Sequence, residues 1–336
     1  MRRNRDLPRG RIERLEIESE VLRGNLQGDP DCRELHVYLP PGRSDGAGLP
    51  LLVDLVGFTG SGMSHTNWKN FGENVPERLD RLIGEGTMGP VVVAFPDCFT
   101  RLGGNQYVNS TAVGRYEDYL LQEVVPFVER RFSCGGAGRR GVFGKSSGGY
   151  GAIVHAMRHG GFWSAAACHS GDMGFELTYG LDIPTALNEL AKHGRSISAF
   201  LAHFEKSPKP TAKETQTLMF LAMAATYDPD PSQPSGIRLP CDPETGELIA
   251  DRWAKWLAHD PLVLAERSVD SLKRLKALFI DCGDRDQYHL HFGSRRLHRT
   301  LDRLGVPHHY EEFSDDHSNI DYRLDHSLPF LERALR

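Results

Sequence analysis

Cysteine is scarce in this 336-residue chain: Cys32, Cys98, Cys134, Cys168, Cys241 and Cys282 are scattered, with no C-x-x-C pair. That spacing excludes a disulfide framework and gives a structural zinc site no starting point, so the thiols are expected to be reduced and mostly buried. No apolar run approaches the roughly 18 residues that cross a bilayer, which excludes a membrane span of that kind. An excess of positive charge is also missing. The net charge is −5, which argues against nucleic acid as the main partner. The N-terminal Met1-Arg2-Arg3-Asn4-Arg5-Asp6 is basic but lacks the apolar stretch of a secretion signal. The expectation is a soluble protein that stays in the cytoplasm. There is no internal repeat and no low-complexity tract, and a charged fraction of 25% is ordinary for a packed chain.

What is present is a change of rhythm. Residues 11–22 and 33–39 alternate apolar with polar, as antiparallel strands with one wet face do. From residue 51 the pattern becomes short, nearly continuous apolar runs, at 51–56, 91–95, 140–143, 165–168 and 275–280, each fitting a strand buried on both faces. Helical stretches lie between them, at 76–83, 116–131, 149–159 and 292–304. This alternation predicts an α/β fold: a mostly parallel central sheet with antiparallel N-terminal strands and helices on both faces. Residues 172–270 show no strand and three helical patterns, at 185–192, 211–225 and 249–258, the second opened by a Thr211/Glu214 capping box. Five prolines follow it, from Pro229 to Pro243. We read residues 1–336 as one domain with a helical, lid-like insertion at about 172–270, a separate helical domain being the alternative. Met219, Phe220 and Met223 then either line an acyl cleft or form the insertion's own core.

Gly-x-Ser-x-Gly occurs twice. Around Ser44 it follows Pro40-Pro41 with neither strand nor helix beside it, and a surface turn is expected. Around Ser146 it follows an apolar strand and opens a small-residue helix, the setting of a nucleophile elbow. Glycines two before and two after let the backbone turn sharply, and the helix N-terminus beyond aims N–H groups at developing negative charge. A serine hydroxyl needs a base to take its proton and a carboxylate to orient that base. In the order Ser, Asp, His, the run Asp281-Cys282-Gly283-Asp284-Arg285-Asp286 offers Asp286 as the first choice and Asp284 as runner-up. His317, after the last strand, is the candidate base, whereas His308 and His309 lie within that strand. His289-Leu290-His291 has no third ligand placed beside it, so no metal is expected. Two N–H donors are needed for the oxyanion, one from Ser147 and one from the glycine-rich loop after residues 51–56, where Phe58 is the candidate. Tyr107 and Asn109, on the loop after another central strand, can touch substrate or belong to an ordinary loop.

These residues resemble the esterase family of α/β-hydrolases, which includes S-formylglutathione hydrolases of the esterase D type, feruloyl esterases and enterochelin esterases. The resemblance runs through Glu34-Leu35-His36-Val37-Tyr38-Leu39-Pro40-Pro41, Gly57-Phe58-Thr59, Phe95-Pro96-Asp97, the elbow at Ser146, Cys282-Gly283-Asp284-Arg285-Asp286 and Asp316-His317-Ser318. Lys145, beside the serine, and Val56, where the family often has His, depart from it. The resemblance implies an α/β-hydrolase fold, a Ser146–Asp286–His317 triad and Phe58 and Ser147 as oxyanion donors. The expected function is a serine ester hydrolase of carboxylesterase type acting on a small-molecule ester, without metal or organic cofactor. Acyl transfer by the same triad, or a non-catalytic binding protein of this fold, are the alternatives.

Overall fold

The structure, a computed structural model, describes residues 7–336, so the basic segment at 1–6 lies outside the described residues. Its main sheet has eight strands: β1 (Arg11–Glu18), β2 (Cys32–Leu39), β3 (Leu51–Leu55), β4 (Val92–Pro96), β5 (Arg140–Lys145), β6 (Ala165–His169), β7 (Ala277–Gly283) and β8 (His309–Phe313). Their spatial order is β1-β2-β4-β3-β5-β6-β7-β8. β1 and β2 pair antiparallel, as their alternation predicts, and β2 is antiparallel to β4. Every pairing from β4 to β8 is parallel.

The continuous apolar runs follow from burial on both faces. Leu52, Phe143 and Phe279 enter one cluster, covered by helices Val75–Gly84 and Leu324–Leu335. Their neighbours Val53, Val142 and Ile280 point the other way, onto helices Ser147–Arg158 and Leu290–Arg303. Because the strands are parallel, the loops after β3, β5, β6, β7 and β8 all open at one edge of the sheet, where such folds place their sites.

Three boundaries differ from the sequence reading. β1 stops at Glu18 because Ser19 turns the chain, its hydroxyl accepting from the Leu22 N–H at 3.1 Å. The stretch 116–131 is helical but interrupted by a π segment at Tyr119–Val124. Pro126 offers no N–H to the Gln122 carbonyl, and the Val125 N–H reaches back to Leu120 instead. β7 runs on through Gly283, so Asp281 lies inside a strand paired on both sides and is buried.

Between β6 and β7 the described residues contribute no strand to the main sheet. Helices Ile183–Ala191, Ala212–Tyr227 and Ala250–Leu257 stand where three were expected, the second with both halves of its capping box. Ile197–Lys206 and Pro261–Arg267 are further helices that the periodicity did not reveal. Phe220 packs on Trp256 at 5.4 Å between ring centroids, and Tyr227 on Tyr150 at 5.9 Å. Met223 and Phe220 are fully buried in the cluster that also holds Tyr150 and Ile153 of helix Ser147–Arg158. The region therefore packs into the sheet's own core.

Candidate active site

Ser146 sits between β5 and helix Ser147–Arg158 with φ 57° and ψ −126°, a backbone conformation that a residue with a side chain occupies only when its surroundings impose it. Those surroundings are specific. The Ser146 N–H donates to the His169 carbonyl at 3.0 Å, and its own carbonyl accepts from the Tyr150 N–H at 2.8 Å. Gly144 and Gly148 have no room for a side chain, since a Cβ on either would collide with the Leu55 carbonyl. Ser44, in the other match to the motif, is an exposed loop residue.

Asp286 and His317 come together across the loops after β7 and β8. His317 Nδ1 lies 2.7 Å from Asp286 Oδ2. A carboxylate can only accept, so Nδ1 carries the proton and Nε2 is left with its lone pair. Asp286 is held in turn by the Tyr288 N–H at 2.8 Å and faces the Cys282 thiol at 3.8 Å. The His317 N–H donates to Gln287 Oε1 at 2.9 Å, and the Tyr288 ring meets the imidazole edge-on. Asp284, the runner-up, accepts from Ser314 Oγ at 3.2 Å and pairs with Arg285 at 3.4 Å. Asp281 pairs with His169 and Arg323. No hydrogen bond joins Ser146 to His317 among the described residues.

The loop after β3 reaches the serine: a Cβ on Gly57 would lie 3.5 Å from that of Ser146. The next residue, Phe58, is pinned by its carbonyl, which accepts from the Gly104 N–H at 2.6 Å. Tyr107, with φ 60°, is buried, and its hydroxyl donates to the Val56 carbonyl at 2.7 Å. Tyr107 thus props the loop instead of facing substrate, and Asn109 is exposed, accepting from the Asp118 N–H at 3.1 Å. Among the described residues neither the Phe58 nor the Ser147 N–H donates to another group. Two unspent donors and a strained serine therefore share one corner.

Beside that corner lies a buried polar group that the sequence did not mark. Gln106 Nε2 is 3.1 Å from Ser147 Oγ, 3.1 Å from Asp172 Oδ2 and 3.2 Å from the Tyr179 hydroxyl. Burial pushes the Asp172 carboxyl up, against hydrogen bonds from Gln106, Tyr179 and Ser147. Asp172 follows β6 at the carboxyl edge, and that position was the only clue to it. Lys145, next to the serine, lines a small cavity with Asp54, His65, His169 and Asp321. Burial draws its ammonium down, while Asp321, Asp286 and Asp316 oppose the shift.

A family model described as "Putative esterase" matches residues 30–326. No curated protein matches the chain by sequence. Among solved structures the chain is similar to a ferulic acid esterase, at 17% identity over 97% of this chain and 99% of that one, with a TM-score of 0.63. It is also similar to S-formylglutathione hydrolases from Staphylococcus aureus (17% identity, 97% and 99% covered, TM-score 0.59) and Agrobacterium tumefaciens (17% identity, 100% and 99% covered, TM-score 0.58). At these identities the likeness establishes the architecture, that of the α/β-hydrolases.

Proposed function

The chain belongs to the esterase family and is a carboxylic ester hydrolase, and from that premise we propose that it acts through an acyl-enzyme on Ser146. Ser146 Oγ attacks the ester carbonyl while His317 Nε2 takes its proton. The Phe58 and Ser147 N–H groups receive the oxyanion. His317 returns the proton to the leaving alcohol as the carbon–oxygen bond to that alcohol breaks, and water then releases the acid by the same route in reverse. Asp286 holds the imidazole in the tautomer that leaves Nε2 unprotonated and stabilises its charged form.

The observation that carries this reading is the strained Ser146, held against the Gly57-Phe58 loop at the edge that also bears the Asp286–His317 pair. Its test is labelling with a fluorophosphonate, which reports an activated serine without a guess at the substrate. One equivalent is expected on the wild type by intact mass and none on Ser146→Ala. Folded wild type that takes up no label would sink the reading. A panel containing a feruloyl ester and an S-formyl thioester, the chemistries named for the structural neighbours, then sorts the acyl group. Adding alcohols during turnover separates hydrolysis from acyl transfer.

A further inference from the structure

At the opposite edge of the sheet from Ser146, three side chains converge where β8 begins. His298 and Asp302 are one turn apart on helix Leu290–Arg303, and His308 immediately precedes β8. We propose that His298, Asp302 and His308 form a binding site for a divalent transition-metal ion of the zinc class, separate from the ester site.

The geometry defines the donors. His308 Nδ1 lies 2.8 Å from the Val306 carbonyl. A carbonyl only accepts, so Nδ1 bears the proton and Nε2 presents its lone pair. That lone pair faces His298 Nδ1 at 2.8 Å and Asp302 Oδ1 at 4.0 Å. His298 Nε2 in turn lies 3.5 Å from Asp302 Oδ2. One donor atom from each residue can be chosen so that all three lie within 4.8 Å of one another. If His298 Nε2–H faces the Asp302 carboxylate, then His298 Nδ1 and His308 Nε2 are two lone pairs face to face at 2.8 Å. The cluster has more lone pairs than protons to share, a deficit that a cation answers.

Two ligands are already oriented. The His308 side chain is only 3% exposed and is tethered by the Val306 carbonyl, the kind of outer contact that fixes a metal-binding imidazole. The His298 ring stacks on Tyr310 at 4.3 Å with planes 13° apart. Asp302, at 62% side-chain exposure, provides the way in. Metal–nitrogen bonds of about 2.0–2.1 Å require the two imidazole nitrogens to open by only about 0.5 Å. Two imidazoles and one carboxylate suit zinc, nickel or cobalt and not magnesium or calcium, which take oxygen ligands. Bound there, the ion ties the helix to the start of the last strand.

The test is Co²⁺ titration of the full-length protein after chelator treatment and dialysis, followed by visible absorption and by competition with Zn²⁺. One equivalent is expected to bind, displaced by Zn²⁺, with affinity weakened at least about tenfold in Asp302→Asn and in His298→Ala. Asp302 is exposed, so Asp302→Asn is expected to keep its fold, and circular dichroism checks that. Ion held by other histidines, such as the His193/His203 pair with ring centroids 4.7 Å apart, is unmoved by that substitution. Wild type without stoichiometric binding, or a folded Asp302→Asn that binds as the wild type does, would overturn the site and leave a hydrogen-bonded histidine pair.

Discussion

Two Ser–His–Asp groupings occur among the described residues, and by distance alone the one in the core is better assembled than the one proposed for catalysis. In the core, Ser327 Oγ lies 2.8 Å from His169 Nε2, and His169 Nδ1 lies 2.6 Å from Asp281 Oδ1. At the sheet edge, Asp286 and His317 are joined at 2.7 Å, but the Ser146 hydroxyl is not hydrogen-bonded to them. The backbone and the surroundings reverse the ranking. Ser327 lies within helix Leu324–Leu335 on ordinary backbone and is fully buried. Asp281 is already shared with Arg323 at 2.9 Å. Ser146 has a strained turn, free N–H donors beside it and a histidine whose second nitrogen is unspent. A chain of hydrogen bonds holds a core together; a nucleophile also requires access and somewhere for negative charge to go.

The sharpest way to break that comparison is to remove each serine. Ser146→Ala is expected to lower kcat on the order of 10⁶-fold, while Ser327→Ala leaves kcat within about threefold and lowers stability by about 1–3 kcal/mol through the unpaired His169 nitrogen. Steady-state kinetics and urea titration read the two effects. Loss of turnover in a folded Ser327→Ala protein would mean the wrong grouping has been chosen.

The carboxylates divide in the same way. Asp286→Asn is expected to reduce kcat on the order of 10⁴-fold with the fold intact, because the imidazole is released into the wrong tautomer. Asp281→Asn instead removes one of the two strand carboxylates paired with buried Arg323, Glu311 being the other, and is expected to cost about 1–3 kcal/mol, seen as a lower urea midpoint. A fully active Asp286→Asn enzyme would remove Asp286 from the mechanism.

The edge grouping was legible in the sequence because each member sits in a loop just past an apolar run. Gly144 and Gly148 flank the serine, Gly283 precedes Asp286, and His317 follows the last strand. The core grouping was not, because Asp281 and Ser327 are interior residues of regular elements and His169 ends a buried strand with no loop signal of its own. Asp281 even passed for the start of a loop, since a charged residue after an apolar run looks like a strand's end. Gln106 and Asp172 were missed for a related reason. Their roles come from a contact between two loops distant in sequence, and no local period records it. Tyr107 drew notice as either a substrate contact or an ordinary loop residue, and its hydroxyl, spent on the Val56 carbonyl, favours the second.

Acid provides a third contrast, behind the elbow. His155, on the helix that Ser146 opens, has Nε2 at 2.8 Å from the Tyr107 carbonyl and Nδ1 at 3.2 Å from the Trp163 indole nitrogen. The Nε2–H donates to the carbonyl and Nδ1 accepts from the indole N–H, so the ring is built to be neutral. Burial accordingly pushes its pKa down to about 4, Glu117 opposing. The unfolded chain, with a value near 6.5, binds the proton first as pH falls. Stability from this group is therefore complete above about pH 6.5 and is lost down to about pH 4, by about 3 kcal/mol in total. Urea midpoints across that range are expected to fall for the wild type and to change less for His155→Gln. Equal slopes in both would place acid sensitivity elsewhere.

The smallest effect tests whether the edge grouping depends on its props as the core one depends on its packing. Tyr107→Phe removes only the hydroxyl that holds the Val56 carbonyl at 2.7 Å, two residues before the Phe58 donor. The orphaned carbonyl is expected to cost about 1–3 kcal/mol of stability. If Phe58 N–H serves the oxyanion, its drift weakens an interaction made only in the transition state, so kcat falls about tenfold while KM stays. The fluorophosphonate labelling rate should fall with it, since the phosphoryl oxygen uses the same donors. A variant that loses stability but keeps kcat and labelling rate would leave Tyr107 as packing alone and shift the second donor away from Phe58.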